Sequence, residues 1–303
     1  MEKILVIGAS GFVGGNLAKQ LLADGYEVRC LARKPDKIRD LAKAGCEVVQ
    51  GDISEVQSLQ NALKSIDAVY ISIQTIVAQP ANKGSKDFMD VELAGLQNII
   101  NACKQNSVTR VVYVTFLGTS PDSKSSWSRG RWKAEQLLIN SKLNATIIRP
   151  GMIVGVGGQG YNAVVSNAKK STAFIMGNGK QRYRSIAISD LVYYLEGLLN
   201  EPKAFGQAYD IGGDEMYNME QMIDLVADIL KRPHPRKLHI PMGVMGTLSF
   251  ILEPLMKMQK GSLKSYVDGM ESELIGVDPI AIRKLLPRPL LTFEEASRKA
   301  LGL

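Results

Sequence analysis

Three glycines near the start of the chain have the spacing of a phosphate-binding loop. Gly8, Gly11 and Gly14 follow an apolar run that ends at Ile7 and precede leucines at helical spacing. Glycine is needed there because the chain turns sharply off a strand and because a bare backbone can approach a pyrophosphate. Backbone N–H groups at the start of the following helix would then bind the negative charge. The residues predicted to form this loop are Gly8, Ser10, Gly11, Phe12, Val13 and Gly14.

A basic pair follows the second β-rich run, which ends at Ala32. Dinucleotide-binding proteins that prefer NAD carry an Asp or Glu about 20 residues beyond the glycine loop. Arg33 occupies that place here, with Lys34 after it. A cation suits a 2′-phosphate, and a planar guanidinium suits it best. The pair therefore predicts NADP(H) rather than NAD(H), and the alternative is a solvated basic pair on the surface.

Asp52 and Ile53 come directly after the third β-rich run. An Asp at the end of a parallel strand can accept a hydrogen bond from an adenine amino group while Ile53 packs on the ring. Asp52 could equally cap the following helix, since both Asp52 and Ser54 are good N-cap residues. Both interpretations stay open at this point.

These residues need a parallel sheet to bring them together, and the first half of the sequence predicts one. Short runs rich in Val and Ile alternate with segments of helical spacing, which is typical of strands buried between helix layers. Right-handed crossovers then bring the carboxyl ends of all strands to one edge of the sheet. The predicted strands are Ile4–Ile7, Val28–Ala32, Glu47–Val49, Ala68–Ile73, Val111–Thr115 and Ala145–Arg149.

The second half of the chain changes character after Pro150. We predict an α/β fold in which residues 1–150 form a Rossmann domain with a doubly wound parallel sheet. Residues 151–303 would form a smaller C-terminal mixed α/β lobe, and the chain would re-enter the Rossmann sheet around residues 186–200. Capping boxes at Asn218–Gln221 and Thr292–Glu295 predict two helix starts in this half.

Composition narrows the class of protein. The 303 residues are 45% apolar and 22% charged, with a net charge of +7, which is typical of a globular protein. Three cysteines without a C-x-x-C pair and only two histidines predict no metal site and a reducing compartment. We expect a cytoplasmic protein that acts on a small molecule, because the sequence has no signal peptide pattern at its start and no basic stripe for nucleic acid. The oligomeric state stays open.

Several short motifs follow one another over roughly residues 1–230. They are Gly8-Ala-Ser-Gly-Phe-Val-Gly, Leu31-Ala-Arg-Lys-Pro, Gly51-Asp-Ile, Val112-Tyr-Val-Thr, Arg149-Pro-Gly-Met-Ile-Val-Gly, Ile188-Ser-Asp-Leu-Val and Tyr209-Asp-Ile-Gly-Gly. Together they resemble the atypical and extended short-chain dehydrogenase/reductases, particularly the NmrA-like proteins and the NAD(P)H-binding accessory subunit of respiratory complex I. Further cofactor contacts implied by the resemblance are Ser72, Ile73, Lys133, Pro150 and Ile153.

The catalytic pair of that family, Tyr-x-x-x-Lys, is incomplete here. Lys133 resembles the family lysine, but Arg129 stands where the tyrosine belongs. The tyrosine normally relays a proton while hydride moves, and an arginine, which stays protonated, cannot do so. Thr115 or Thr119 would supply the family's hydroxyl group.

Three interpretations of this departure remain. Lys133 works without the tyrosine, as in isoflavone-reductase-like members, or Tyr161 replaces it from a glycine-rich loop, or the site binds NADPH without turnover. We favour an NADPH-dependent reductase, or an isomerase or epimerase-like enzyme, on a small and rather apolar substrate. The alternative is a non-catalytic NAD(P)H sensor or accessory subunit.

The segment 240–264 is the most apolar part of the second half. Its apolar run is interrupted by Pro241, Glu253 and Pro254, which argues against a membrane span, and it is too apolar for a solvated helix. We expect most of it to be buried over an apolar substrate pocket, and the alternative is a face that docks on a membrane surface or a protein. Its apolar residues are Met242, Val244, Met245, Leu248, Ile251, Leu252, Leu255 and Met256, and its lysines are Lys257, Lys260 and Lys264.

Overall fold

The computed structural model describes residues 2–73, 88–255, 261–269 and 272–303. Within these ranges its strands are β1 (Lys3–Ile7), β2 (Glu27–Ala32), β3 (Glu47–Gln50), β4 (Ala68–Ile71), β5 (Arg110–Val114), β6 (Asn144–Pro150), β7 (Met152–Val154), β8 (Thr172–Met176), β9 (Arg182–Ala187), β10 (Ala208–Ile211), β11 (Met216–Asn218) and β12 (Arg236–Ile240). The helices are α1 (Phe12–Ala23), α2 (Arg39–Ala44), α3 (Val56–Ala62), α4 (Phe88–Gln105), α5 (Ser126–Ile139), α6 (Gln159–Ala168), α7 (Ile188–Gly197), α8 (Met219–Ile229), α9 (Met242–Leu255), α10 (Ser262–Gly269), α11 (Ala281–Leu285) and α12 (Phe293–Leu301), with short 3-10 helices at Pro35–Ile38 and Pro202–Ala204.

A seven-stranded sheet forms the centre of the fold, in the order β10-β6-β5-β4-β1-β2-β3. The pairs from β6 to β3 are parallel, and Val6 of β1 lies opposite Cys30 on one side and Tyr70 on the other. Strands β2 and β3 lie on one side of β1, and β4, β5 and β6 lie on the other. This arrangement, in which the chain winds outward from β1 in both directions, is the doubly wound one. The predicted α/β Rossmann fold is confirmed.

The apolar sequences of three strands explain why these strands lie at the centre of the sheet. Strands β1, β4 and β5 are apolar on both faces and almost completely buried, as strands between two helix layers must be. Helix α2 ends at Gly45, which has a φ of +113° in the left-handed region. Both predicted capping boxes are confirmed, at the starts of α8 and α12.

Contacts between Cα atoms divide the chain into two compact units. The first comprises the described residues of Met1–Thr115, Gly130–Ile148 and Val192–Ala208. The second comprises those of Phe116–Arg129, Arg149–Leu191 and Tyr209–Leu303. Two small sheets belong to the second unit, one in the order β11-β9-β7 and one formed by the parallel pair β12 and β8. Its core includes Tyr161, Val164, Met222, Val226 and Phe293.

The expectation that the segment after residue 240 is mostly buried is wrong for α9. Its apolar residues Val244, Leu248 and Ile251 are exposed, and Leu255 is 74% exposed. The buried face carries polar residues instead, because the carboxylate of Glu253 accepts hydrogen bonds from backbone N–H groups at the start of α10.

Part of the same segment lies outside the described residues, namely Met256, Lys257, Lys260 and the side chain of Met245. Within the described ranges, no helix combines the length and the apolar character that crossing a membrane requires.

Candidate cofactor site

The glycine loop connects β1 to α1 and approaches β4 very closely. Gly8 has a φ of +96°, and a Cβ atom there would lie 2.2 Å from the backbone oxygen of Ser72. A Cβ atom on Gly14 would lie 2.4 Å from the backbone oxygen of Gly8. The loop is closed by a hydrogen bond in which the Gly11 N–H donates to the Gly8 carbonyl at 2.9 Å. Gly8 and Gly14 are therefore required by backbone packing before any ligand is considered.

The start of α1 offers donors that a phosphate can use. Gly11 is the N-cap residue and provides no side-chain hydrogen bond to the helix. The N–H groups of the first turn have no intrahelical acceptor, and the helix dipole favours negative charge there. Ser10 and Gly11 are exposed, and Phe12 and Val13 are half-buried. This end of α1 fits a pyrophosphate group, which these residues would hold through backbone N–H groups.

The basic pair lies directly after β2. Arg33 and Lys34 are exposed, and the Nε atom of Arg33 lies 4.0 Å from the Oδ2 atom of Asp52. Asp52 follows β3, the neighbouring strand, so the two charges face each other at the same edge of the sheet.

Asp52 is not the N-cap of α3, because that helix begins at Val56 and its N-cap residue is Glu55. Its Oδ1 atom accepts hydrogen bonds from the backbone N–H and the hydroxyl of Ser54, at 2.9 and 2.8 Å. Asp52 therefore stabilises a local turn, and its Oδ2 atom faces Arg33.

Ile53 is fixed by contacts with α4. A Cβ atom on Gly95 would lie 2.4 Å from Cδ1 of Ile53, so a glycine is needed for this helix to pack so closely. The amide of Asn98 donates a hydrogen bond to the Ile53 carbonyl at 3.0 Å. The half-buried Ile53 side chain thus has a defined position beyond the end of β3.

The sheet brings most of the predicted cofactor residues to one edge. The five strands β5, β4, β1, β2 and β3 are consecutive neighbours and parallel. Residues at or directly after their carboxyl ends are Thr115, Ser72, Ile73, Gly8, Arg33, Lys34, Asp52 and Ile53. Pro150 ends β6 and Ile153 lies in β7, both in the second unit, and their contact with the cofactor stays a prediction.

Thr115 and Lys133 both belong to the first unit. Thr115 is anchored by its N–H, which donates to the Ile148 carbonyl at 2.8 Å. Its Oγ1 atom is buried and has no hydrogen-bond partner among the described residues, and the same holds for Thr119. Lys133 is exposed on α5. The structure thus places an exposed ammonium group and a buried, unsatisfied hydroxyl in one unit.

Arg129 occupies the position of the family tyrosine and has a structural partner. Its guanidinium donates hydrogen bonds to the carbonyls of Ser123 and Lys124. These bonds stabilise the loop before α5, and they leave a permanently charged group where the family has a proton-relaying phenol.

The hypothesis that Tyr161 replaces the missing tyrosine is wrong. Tyr161 is buried in the core of the second unit, where its hydroxyl donates to the Ser297 carbonyl at 3.3 Å and its ring packs edge-on against Phe293. Burial raises the pKa of this phenol, which makes it a still weaker proton donor at neutral pH.

A buried polar network near Lys133 was not predicted from the sequence. Arg131 and Glu92 form an ion pair with 3.0 Å between Nε and Oε1, and both side chains are almost completely buried. Arg131 also donates to the Tyr113 hydroxyl at 2.8 Å and to the Ile73 carbonyl at 2.7 Å. Burial opposes the charge of Arg131, but Glu92 and Tyr113 more than offset this and raise its pKa.

This network ties together three elements that carry site residues. Arg131 lies on α5, two residues before Lys133, and its contacts join that helix to α4, to the strand β5 and to the chain that follows β4. The sequence contains one signal that could have revealed it, an acid at Glu92 within the apolar spacing of α4. Buried acids are rare unless they are paired.

A small cavity of about 80 Å³ lies within the second unit. It is formed partly by the loop that follows Thr115, where the rings of Phe116 and Trp127 stack with their centroids 4.0 Å apart. Its lining residues are Phe116, Gly118, Ser123, Trp127, Ser128, Gly269, Ser272 and Leu274. The cavity is mostly apolar, with serine hydroxyls on its wall.

Comparison with known proteins finds relatives that cover half or more of this chain. The chain is 32% identical over 157 residues to the photosystem II assembly factor Ycf39 of Cyanophora paradoxa, a match that covers 52% of this chain and 47% of that protein. It is 25% identical to N-acetyl-alpha-D-glucosaminyl-diphospho-ditrans,octacis-undecaprenol 4-epimerase of Escherichia coli O157:H7, with 82% and 79% of the two chains covered. It is 22% identical to the NADH dehydrogenase [ubiquinone] 1 alpha subcomplex subunit 9 of Arabidopsis thaliana, with 79% and 60% covered. The chain thus spans about half to four fifths of the length of these relatives.

Among solved structures, the fold is similar to that of the NADPH-dependent quinone oxidoreductase QOR2 from Escherichia coli in complex with NADPH. The TM-score is 0.73 at 18% identity, and 98% of this chain and 99% of that chain are covered. The resemblance to the atypical short-chain dehydrogenase/reductases is confirmed by these relatives and neighbours. The profile of the NAD(P)H-binding family matches residues 8–176, which is more than half of the chain, and the protein therefore belongs to the NAD(P)H-binding family.

Proposed function

We propose that this protein is an NADPH-dependent reductase of the atypical short-chain type that acts on a small, apolar carbonyl or quinone compound. The observation that carries the proposal is the buried Thr115 hydroxyl, which has no hydrogen-bond partner among the described residues. Leaving such a group unsatisfied costs about 1–3 kcal/mol. The cost would be relieved if a ligand oxygen completed the hydrogen bond.

The chain's own residues have distinct roles in this proposal. The start of α1 would hold the pyrophosphate, and Arg33 would hold the 2′-phosphate. The bound nicotinamide would supply a hydride to a substrate carbon. Thr115 would orient the substrate oxygen, and Lys133 would donate a proton to that oxygen, directly or through water.

The substrate class is inferred from the second unit. The cavity of about 80 Å³ has an aromatic wall formed by Phe116 and Trp127. Such a wall favours an apolar or planar group. A relative named 2-alkyl-3-oxoalkanoate reductase, from Stenotrophomonas maltophilia, acts on an oxo compound by its name, and it is 25% identical over 262 residues.

Turnover of NADPH with a panel of quinones, enones and aldehydes tests this proposal. We expect the absorbance of the reduced nicotinamide to fall with at least one class. Lys133→Met should lower kcat by about 100-fold, the typical size of a general acid effect. Lys104→Met removes another exposed lysine, on α4, and should leave turnover unchanged. Full activity in Lys133→Met would exclude Lys133 as the proton donor.

A second candidate function is supported by Arg129. Because its guanidinium donates to the carbonyls of Ser123 and Lys124, the family's tyrosine relay is missing, and a site that binds NADPH without turnover needs no such relay. The relatives named as subunits of NADH dehydrogenase favour an accessory role with a protein partner. Tight NADPH binding without turnover of any compound in the panel would favour this second function over the first.

A further inference from the structure

Helix α9 has its apolar side facing away from the protein. Val244, Leu248, Ile251 and Leu255 recur at helical spacing, and all four are exposed. Phe250 is 68% exposed as well, but it lies about 130° around the helix axis from the middle of this row. The four side chains of the row form what we call the α9 face. An exposed row of this kind is unusual, because a surface helix normally turns its apolar stripe toward the core.

The orientation of α9 is set by polar contacts on its other side. Ser249 and Glu253 are buried, and Glu253 is the only ionisable residue among the fourteen of this helix. Its carboxylate accepts hydrogen bonds from the N–H groups of Gly261, Leu263 and Lys264 at 2.8, 3.0 and 3.3 Å. Rotating α9 to bury its apolar side would bring this carboxylate out of those contacts. The α9 face is thus held outward by a charge-assisted cap of α10.

Helix α10 is in turn anchored within the second unit. The hydroxyl of Ser265 lies 3.0 Å from that of Ser125 and accepts a hydrogen bond from the Trp127 N–H at 2.7 Å. The pair α9 and α10 is therefore attached to the loop before α5, and the exposed row does not belong to a free arm.

Two more apolar side chains of the same unit are exposed on the strand pair β8 and β12, and β12 leads into α9. Leu238 of β12 lies directly opposite Phe174 of β8, and both are exposed. Strand β12 ends at Ile240 and α9 begins at Met242. Exposure of apolar residues is thus concentrated in this part of the second unit.

The sequence around α9 is strongly basic. From residue 231 to residue 264 it contains seven Lys and Arg residues and a single acid, the buried Glu253. Among the described residues of this stretch, Lys231, Arg232, Arg236 and Lys264 are exposed.

Acids on neighbouring helices balance part of this charge. Lys264 pairs with Asp268 of α10 at 2.8 Å, and Asp224 of α8 pairs with Lys237. His234 and His239 face Asp228 and Glu220 of α8, respectively. No salt bridge is found within the described part of the chain for the exposed cations Lys231, Arg232 and Arg236.

We propose that the α9 face binds the surface of an anionic lipid membrane, with the helix lying in the interface. An apolar helix face without charges would enter the boundary between headgroups and acyl chains, and the flanking cations would be attracted to anionic headgroups. The basic flanks argue for a lipid surface over a second copy of this chain, because two copies would bring the same positive charges together. The fourteen described residues of α9 fall short of the roughly 20 that a bilayer span needs, and we therefore place this helix along the surface.

Vesicle flotation with the full chain tests this proposal. Vesicles of phosphatidylcholine with phosphatidylglycerol should carry the protein, and vesicles of phosphatidylcholine alone should carry much less. Binding should weaken as salt is raised from about 0.1 M to about 1 M, because screening removes the electrostatic part. Leu255→Glu and Leu248→Glu should each weaken binding at least about tenfold, since each removes the burial of one large apolar side chain.

Two matched variants complete the test. Val277→Glu changes an apolar residue that is 98% exposed but lies outside α9, and it should bind vesicles like the wild type. Lys231→Glu with Arg232→Glu should weaken binding to anionic vesicles only. Thermal melting followed by circular dichroism verifies that each variant is folded.

Three results would overturn the proposal. The first is the absence of binding to anionic vesicles by the folded wild type. The second is binding that Leu255→Glu and Leu248→Glu leave unchanged. The third is a dimer in light scattering that Leu255→Glu dissociates while vesicles are ignored, which would assign the α9 face to a second copy of the chain.

Discussion

The guanidinium of Arg33 lies 4.0 Å from the Asp52 carboxylate, and a 2′-phosphate would have to compete with this contact. The contact is weak because half of the Arg33 side chain is exposed, and exposed ion pairs contribute at most about 1 kcal/mol. A charge-assisted, bidentate phosphate contact is stronger. We therefore expect Arg33 to leave Asp52 when NADPH binds.

This expectation gives the first residue-scale prediction. The wild type should bind NADPH at least about tenfold more tightly than NADH, a difference of about 1.4 kcal/mol. Arg33→Ala should remove that preference, whereas Arg39→Ala, which breaks an exposed pair with Asp36, should not. Titration calorimetry with both cofactors measures this, and equal affinities of the wild type for the two would contradict the assignment.

Arg129 gives the second prediction at this scale. Replacing it by tyrosine restores the family's Tyr-x-x-x-Lys spacing with Lys133. We expect Arg129→Tyr to raise reduction or oxidation of simple carbonyl–alcohol pairs by about 10- to 100-fold over a very weak wild-type rate. Arg129→Phe is the control, because it also loses the bonds to Ser123 and Lys124 but has no phenolic proton. Equal rates in the two variants would show that the phenol is not in reach of the substrate.

At the scale of elements, the Glu92–Arg131 pair joins α4 to α5 in a buried environment. Without Glu92 the buried charge of Arg131 is compensated only in part, by Glu135, and breaking a buried ion pair typically costs about 3–5 kcal/mol. Glu92→Gln should therefore lower the free energy of unfolding by this amount. The double variant Glu92→Leu with Arg131→Met should recover most of it.

Chemical denaturation followed by circular dichroism measures both changes. Glu294→Gln removes one partner of an exposed pair with Arg298, and it should change stability by less than about 1 kcal/mol. If Glu92→Gln were as mild as this control, the pair would not hold the two helices together.

Six of the seven strands of the central sheet could be predicted from the sequence, because each predicted run overlaps an observed strand and differs by at most two residues at an end, as for Ala68–Ile71. The glycine loop could also be predicted, because a sharp turn and a close backbone approach require glycine at Gly8 and Gly14.

The Glu92–Arg131 pair could not be predicted from the sequence, because the two residues lie on different helices and their pairing depends on how these helices pack. The face of α9 was misjudged, because periodicity shows that a helix has an apolar side but does not show which way that side points. The deciding contact, from Glu253 to the start of α10, joins two helices.

At the scale of the whole molecule, positive charge is distributed unevenly. The net charge of the chain is +7, and the stretch from residue 231 to residue 264 contains seven basic residues and one acid. The rest of the chain is thus close to neutral. Acids of α8 and α10 balance part of this excess, and the remaining cations of the stretch attract anionic surfaces over about a Debye length, roughly 10 Å.

The first unit is assembled from three stretches of chain, and this affects how it is made on the ribosome. Arg110 in β5 is buried, and burial lowers its pKa to about 10. Its guanidinium donates to the carbonyls of Leu198 and Leu199, and the buried Tyr70 hydroxyl donates to that of Leu195. These acceptors are translated long after the strands that need them, so in a nascent chain ending near residue 150 Tyr70 lacks its acceptor and Arg110 lacks two of its five. The Rossmann unit therefore completes its polar interior only after residue 199 has left the exit tunnel, when residues 116–129 and 149–191 of the second unit have already emerged.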